Sequence, residues 1–121
     1  MRKAKGTKKR EAMIPAEVLD KEIEHIKKQL IEKYKPEKII LFGSAAWGSE
    51  EVNDIDFLII KSDTPYYGID RMRELDRLIE RNMAVDILVY KPEEVQERIK
   101  MGDPFIKKIF KDGKVLYTTN E

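Results

Sequence analysis

Two aspartates, Asp54 and Asp56, head a segment that becomes wholly apolar from Phe57 to Ile60. A short β-branched and aromatic run of this kind reads as a buried or nearly buried strand over 54–61, one that begins with acids. Successive side chains of a strand alternate between its two faces, so Asp54 and Asp56 project from the same face, side by side. A chain that must bury this strand while leaving two carboxylates at its head solvated has few folds open to it.

The flanking segments supply the rest of a layered domain. Pro15 to Tyr34 places Leu19, Ile23, Ile26, Leu30 and Tyr34 at three- and four-residue spacings, which predicts an amphipathic helix closed by Pro36. Its one histidine, His25, lies off that stripe and reads as solvated or partly packed. Lys38 to Phe42 predicts a strand stopped by a tight turn at Gly43, and a short helix is expected near Ser44. Ile69, Met72, Leu75 and Ile79 give a helix over 69–81, and Ala84 to Tyr90 gives a third strand. Pro92 with Glu93 and Glu94 opens a helix through Lys100, since proline and acids both suit a helix N-terminus. Asp103-Pro104 caps another ending near Lys111, and Asp112-Gly113 turns into a last strand, Lys114 to Tyr117. The order helix, strand, strand, helix, strand, helix, helix, strand predicts an α/β (α+β) domain of two or three layers around one small sheet flanked by helices. The loop aromatics Trp47, Tyr66 and Tyr67 are read as covering an edge of the core.

Length and composition agree with one domain, expected over residues 15–118, preceded by a basic and disordered arm over 1–14. Hydrophobic residues make up 41% of the 121 and charged residues 39%, a conventional interior under a dense ionic surface. No apolar run approaches the length of a membrane span, and the basic start lacks the hydrophobic stretch of a secretory signal, so a cytoplasmic protein is expected. Cysteine is absent, which excludes disulfides, thiolate nucleophiles and cysteine zinc sites. Six basic residues among the first ten, set against a total charge of +1, leave residues 11–121 at −5. A broad nucleic-acid-binding surface is therefore not expected.

The third strand carries one acid, Asp86, among Val85, Ile87, Leu88 and Val89. An acid buried in such a run is expelled unless it is paired or bound to metal. With Asp54 and Asp56 it is the natural third carboxylate of a Mg²⁺ site, because Mg²⁺ takes a few carboxylates, water and substrate phosphates. Two ions so held serve phosphoryl chemistry, one on the triphosphate and one on the attacking hydroxyl. Upstream, Gly43 lets backbone approach a phosphate, Ser44 and the next N–H groups supply donors, and Gly48 lets the loop curl back. The combination, and not the common Asp-x-Asp pair alone, points to a metal–nucleotide site.

The residues GSAAWGSEEVNDID, followed by FLII and then VDILVY, resemble the nucleotidyltransferase superfamily that includes DNA polymerase β, and most closely its minimal, antitoxin-like members. Those carry Gly-Ser, a gap of nine or ten residues and Asp-x-Asp; here nine residues separate Ser44 from Asp54. The ending FIKKIFKDGKVLY is similar to the helix-turn-strand that closes such domains, and the likeness spans about residues 15 to 118. The resemblance implies a polymerase β-like palm with a small mixed sheet. It implies that Gly43 and Ser44 hold triphosphate, that Asp54, Asp56 and Asp86 are catalytic and bind Mg²⁺, and that ATP is the substrate. It further implies AMP transfer to an acceptor hydroxyl, a tyrosine of a cognate HEPN-type toxin, in a type VII-like antitoxin role; self-association is a further expectation, from a site too open to hold an acceptor alone. Many relatives have arginine after Gly-Ser, where this chain has Ala45, Ala46 and Trp47. The alternatives are a non-catalytic antitoxin that neutralises its partner by binding, and an enzyme acting on a small acceptor or an RNA end.

Overall fold

The computed structural model describes residues 14–47, 52 and 54–119. The expected basic arm, apart from Ile14, lies outside the described residues, as does Gly48. Helix α1 spans Ala16–Gln29 and continues as a π-helical turn, Leu30–Tyr34. Strand β1 (Lys38–Phe42) leads through the short helix α2 (Ser44–Trp47) to β2 (Ile55–Ile60). Helix α3 (Gly68–Leu78), β3 (Val85–Tyr90), α4 (Pro92–Lys100), α5 (Pro104–Asp112) and β4 (Lys114–Thr118) follow.

The four strands form a mixed sheet in the order β3-β2-β1-β4. Strand β1 is antiparallel to β2 and β4, whereas β2 and β3 are parallel. Strand β2 is central and buried at every position but Asp56, which explains its continuous apolar run. Ile39, Leu41, Phe57 and Ile59 face Ile26 of α1, Leu30 of the π-helical turn and Leu75 of α3. Ile40, Phe42, Leu58 and Ile60 face Val95 of α4 and Ile106 and Ile109 of α5. The two-or-three-layer alternative thus resolves to three layers, with helices on both faces.

Several local expectations change under tertiary contacts. Helix α3 ends three residues earlier than its apolar period suggests, because the Gln29 side chain captures the backbone of Glu80, accepting from its N–H at 2.7 Å and donating to its carbonyl at 2.8 Å. Ile79 therefore leaves the helix in extended conformation yet stays buried. Ile69, expected on the apolar stripe, is 62% exposed. Tyr66 and Tyr67 do not cover a core edge: they are 76% and 64% exposed and stack edge-to-face on each other. His25 is partly packed, 3.1 Å from the Gln29 amide.

Arg71 is the polar centre of this framework and is 5% exposed. Its guanidinium donates to the carbonyls of Pro65, Tyr66 and Val89 and pairs bidentately with Glu94 at 2.9 and 3.0 Å. Glu94 also accepts from the backbone N–H of Lys91 at 2.8 Å, fixing the start of α4. One side chain thus joins the loop before α3, the end of β3 and the start of α4. The paired guanidinium holds the Glu94 carboxyl below its usual range. Removing it leaves buried carbonyls and a carboxylate unpaired, so Arg71→Ala is expected to cost roughly 3 kcal/mol in urea unfolding. Glu94→Gln is expected to cost less, since the Glu94 side chain keeps 36% of its exposure and water replaces part of the interaction.

Candidate active site

The sheet register assembles the acids. Asp56 at the second position of β2 lies opposite Phe42 on β1 and opposite Asp86 on β3. Because β2 and β3 run parallel in this register, the two aspartates share one face. Asp54 precedes β2 by one residue and adds a third carboxylate from the same face. Ligand oxygens of Asp54, Asp56 and Asp86 all lie within 4.8 Å of one another. Asp54 and Asp56 are half-buried, and Asp86 is exposed.

Exposure of Asp86 corrects the reason for singling it out. An aspartate between Val85 and Ile87 was expected to be buried and therefore to need a partner, but β3 is an edge strand whose residue 86 faces solvent. Burial does not compel its pairing; the register alone brings it to Asp56.

Burial and the crowding of like charge both act on Asp56. Burial, then the charges of Asp54 and Asp86, and then a hydrogen bond shared with Asp86 push the Asp56 carboxyl up from 3.8 to about 6. Three acid side chains so close, with one resisting ionisation, fit a hard divalent cation, which would neutralise them and accept their oxygens as ligands.

Gly43 is explained by this same carboxylate. It adopts φ 77°, the left-handed region, at the end of β1. A Cβ built there would overlap the Asp56 carboxylate. The glycine thus makes room for the acid, a constraint added to the expected approach to phosphate. Ser44 begins α2, whose turn closes through Ala46 and Trp47 N–H groups donating to the Gly43 carbonyl at 3.0 Å each. Gly43-Ser44 and the acids therefore stand at neighbouring ends of antiparallel strands.

Two side chains near this end escaped sequence reasoning. Lys108 of α5 holds its Nζ 4.4 Å over the Trp47 ring and 2.8 Å from Asp112 Oδ2, so a cation reaches the turn that lacks arginine. Phe105, on the same helix, packs edge-on against Phe42. Both lie in the FIKKIFKDGKVLY ending, which gave neither a role in the site; only the docking of α5 over β1 brings them here. A cleft of about 600 Å³ opens beside the acids, lined by Phe42, Asp56, Asp86, Leu88 and Phe105 and reaching Arg81 beyond the β3 edge. Another hollow, about 470 Å³ between Ile60, Val95, Ile99 and Phe110, lacks such a carboxylate cluster.

A mixed sheet between two helical layers, with a carboxylate trio that could hold a metal ion beside a Gly-Ser turn, is an arrangement compatible with nucleotidyl transfer. The family described as Polymerase beta, Nucleotidyltransferase matches residues 24–121, and the chain belongs to it. A nucleotide is accordingly its class of substrate. No curated protein and no solved structure matches the chain. Among the described residues, no helix is long and apolar enough to cross a membrane.

Two outcomes follow from the geometry. In the metal-free protein Asp56 binds its proton more tightly than in the unfolded chain, so its contribution to stability is full below pH 3.8 and lost as the pH rises through about 6. Asp56→Asn is therefore expected to raise Tm at pH 7.5 by on the order of a few °C and to leave it nearly unchanged at pH 4; Mg²⁺ should raise Tm of the parent protein only, as thermal melts will show. Gly43→Ala should lose about 1–2 kcal/mol to the left-handed backbone alone, and further to displacement of Asp56, read by chemical denaturation.

Proposed function

We propose that this nucleotidyltransferase transfers AMP from ATP to a hydroxyl of a protein acceptor, a tyrosine of a HEPN-type toxin, and thereby acts as an antitoxin in the cytoplasm. The observation that carries the transfer is the convergence of Asp54, Asp56 and Asp86 to within 4.8 Å beside Gly43-Ser44. The protein acceptor is supported by the likeness of GSAAWGSEEVNDID to the minimal, antitoxin-like members of the superfamily.

In this reading Asp54 and Asp56 hold Mg²⁺, and Asp86 faces the acceptor. Bound Mg²⁺, two ions in all, supplies neutralisation of the triphosphate and lowers the pKa of the attacking hydroxyl. Gly43 presents backbone to the phosphates, and Ser44 with the N–H groups of its turn donates to their oxygens. The acceptor oxygen bonds to the α-phosphorus while the bond from that phosphorus to the α–β bridging oxygen breaks, and pyrophosphate departs with the electron pair. Asp86, on the open edge of the sheet, takes the hydroxyl proton. Lys108 offers the cation that the Ala45-Ala46-Trp47 turn lacks. An open site of this kind has little of its own to hold an acceptor, which favours a partner protein or a second copy of the chain.

The test is incubation with α-labelled ATP, Mg²⁺ and the product of the neighbouring gene, with Asp54→Asn/Asp56→Asn as control, followed by intact-mass analysis. Addition of one or more AMP units to the partner, reduced at least a hundredfold in the double variant, is the expected result. A stable complex that forms without ATP, survives Asp56→Asn and never gains mass replaces this reading with the non-catalytic antitoxin.

A further inference from the structure

Two departures from ordinary helical geometry meet near the end of β2 that is remote from the acids. Helix α1 closes through the π-helical turn Leu30–Tyr34, where the Lys35 N–H donates to the Leu30 carbonyl at 2.8 Å. Lys35 then takes φ 58°, the one non-glycine residue in the left-handed region among the described residues. A lysine there carries a steric cost that glycine would avoid. Both kinds of outlier concentrate at functional sites, which directs attention to what surrounds this turn.

A hollow of about 530 Å³ opens beside it, lined by Lys33, Lys35, Lys61, Asp63, Thr64 and Glu74. Lys61 lies five residues beyond Asp56, roughly 16 Å along an extended strand, so the hollow is separate from the carboxylate cleft. Lys61 holds its Nζ 5.1 Å over the Tyr34 ring centroid and donates to the Lys35 carbonyl at 3.4 Å. None of the three lysines pairs with a carboxylate among the described residues, although two carboxylates line the same hollow. The buried Tyr34 hydroxyl stands 2.9 Å from Thr64 Oγ1, and the pair uses only one of its two hydroxyl hydrogens internally. Glu74 has the opposite deficit: its Oε1 accepts no hydrogen bond.

Three ammonium groups against two carboxylates give the lining a net positive charge with acceptors beside it. A lone inorganic anion would meet the lysines but fill little of the volume and bring no donor to Asp63 or Glu74. An organic phosphate with hydroxyl or amino groups satisfies both sets, since charged donors favour the phosphate oxygens and the acids favour neutral donors.

We propose that this hollow is a binding site for a phosphomonoester, its phosphate on Lys33, Lys35 and Lys61 and the hydroxyl or amino groups of its organic part towards Asp63 and Glu74. The site stands apart from nucleotidyl transfer and is tested without turnover. Ribose 5-phosphate, AMP, ribose and inorganic sulfate are titrated into the full chain at fixed ionic strength without Mg²⁺, while the NMR signals of Lys35, Lys61 and Thr64 are followed. Saturable shifts with a monoester, weaker ones with sulfate and none with ribose are expected; the tighter of the two monoesters tells a sugar phosphate from a nucleotide. Affinity should fall about fivefold in Lys61→Ala and in Lys35→Gly. Lys35→Gly is the decisive variant, because glycine accepts the left-handed backbone and its Tm should be no lower than that of the parent, so weaker binding there reports the lost cation and not a lost fold. Absence of saturable shifts with both monoesters, sulfate binding as tightly as they do, or unchanged monoester affinity in Lys35→Gly overturns the proposal.

Discussion

The pairing of β2 with β1 on one side and β3 on the other positions the carboxylates of the site. Once Ile59 lies against Ile39 and Val89, the same ladder carries Phe42, Asp56 and Asp86 into a row. A slip of one residue in either pairing would turn a whole strand's side chains to the opposite face and separate the carboxylates. Burial opposes that slip in β2, because it would drive the Asp56 carboxylate into the apolar layer of α1 and α3. Core burial and site geometry are therefore the same constraint, and the arrangement of the carboxylates is maintained by residues of the core.

Electrostatics pull against this packing. Three carboxylates converge on a domain whose residues 11–121 already carry −5, and the substrate of a nucleotidyltransferase is itself a polyanion. Divalent cations would reconcile the two, since they can satisfy the protein carboxylates and the phosphates together. In their absence Asp56 retains its proton to about pH 6, its burial and its two neighbours all resisting ionisation. Gly43 belongs to this balance as well, for only a residue without Cβ lets the Asp56 carboxylate approach the turn.

Arg71 has the complementary role on the other side of β3. Its bond to the Val89 carbonyl and its pair with Glu94 anchor the last residues of that strand to α3 and α4. Among the described residues strand β3 is the edge of the sheet, with no strand beyond it to fix its position. A buried ion pair adds little net stability compared with apolar packing, but here it holds five polar contacts from three segments in one arrangement. Arg81, between α3 and β3, also lines the cleft, with its charge committed to Asp76.

The sequence by itself determined the elements and most of the site. Apolar periodicity marked α1, α3 and the buried β2, proline and acids marked the starts of α4 and α5, and Asp54-Ile55-Asp56 after Gly43-Ser44 marked the acids, because each of these signals arises between residues close in the chain. What escaped it depends on contacts distant in sequence. Gln29 ends α3 by capturing the Glu80 backbone 51 residues away, and Arg71, unremarkable on a polar helix face, becomes a buried hub through Val89 and Glu94. Asp86 looked buried because an apolar run implies burial, yet whether a strand is central or at the edge is a property of the sheet order and not of the strand. Lys108 and Phe105 reach the site only because α5 lies across β1. Local chemistry thus selected the candidate site residues, and tertiary packing alone decided their exposure, their neighbours and the shape of the cleft, since burial and proximity are properties of pairs of segments and not of any one of them.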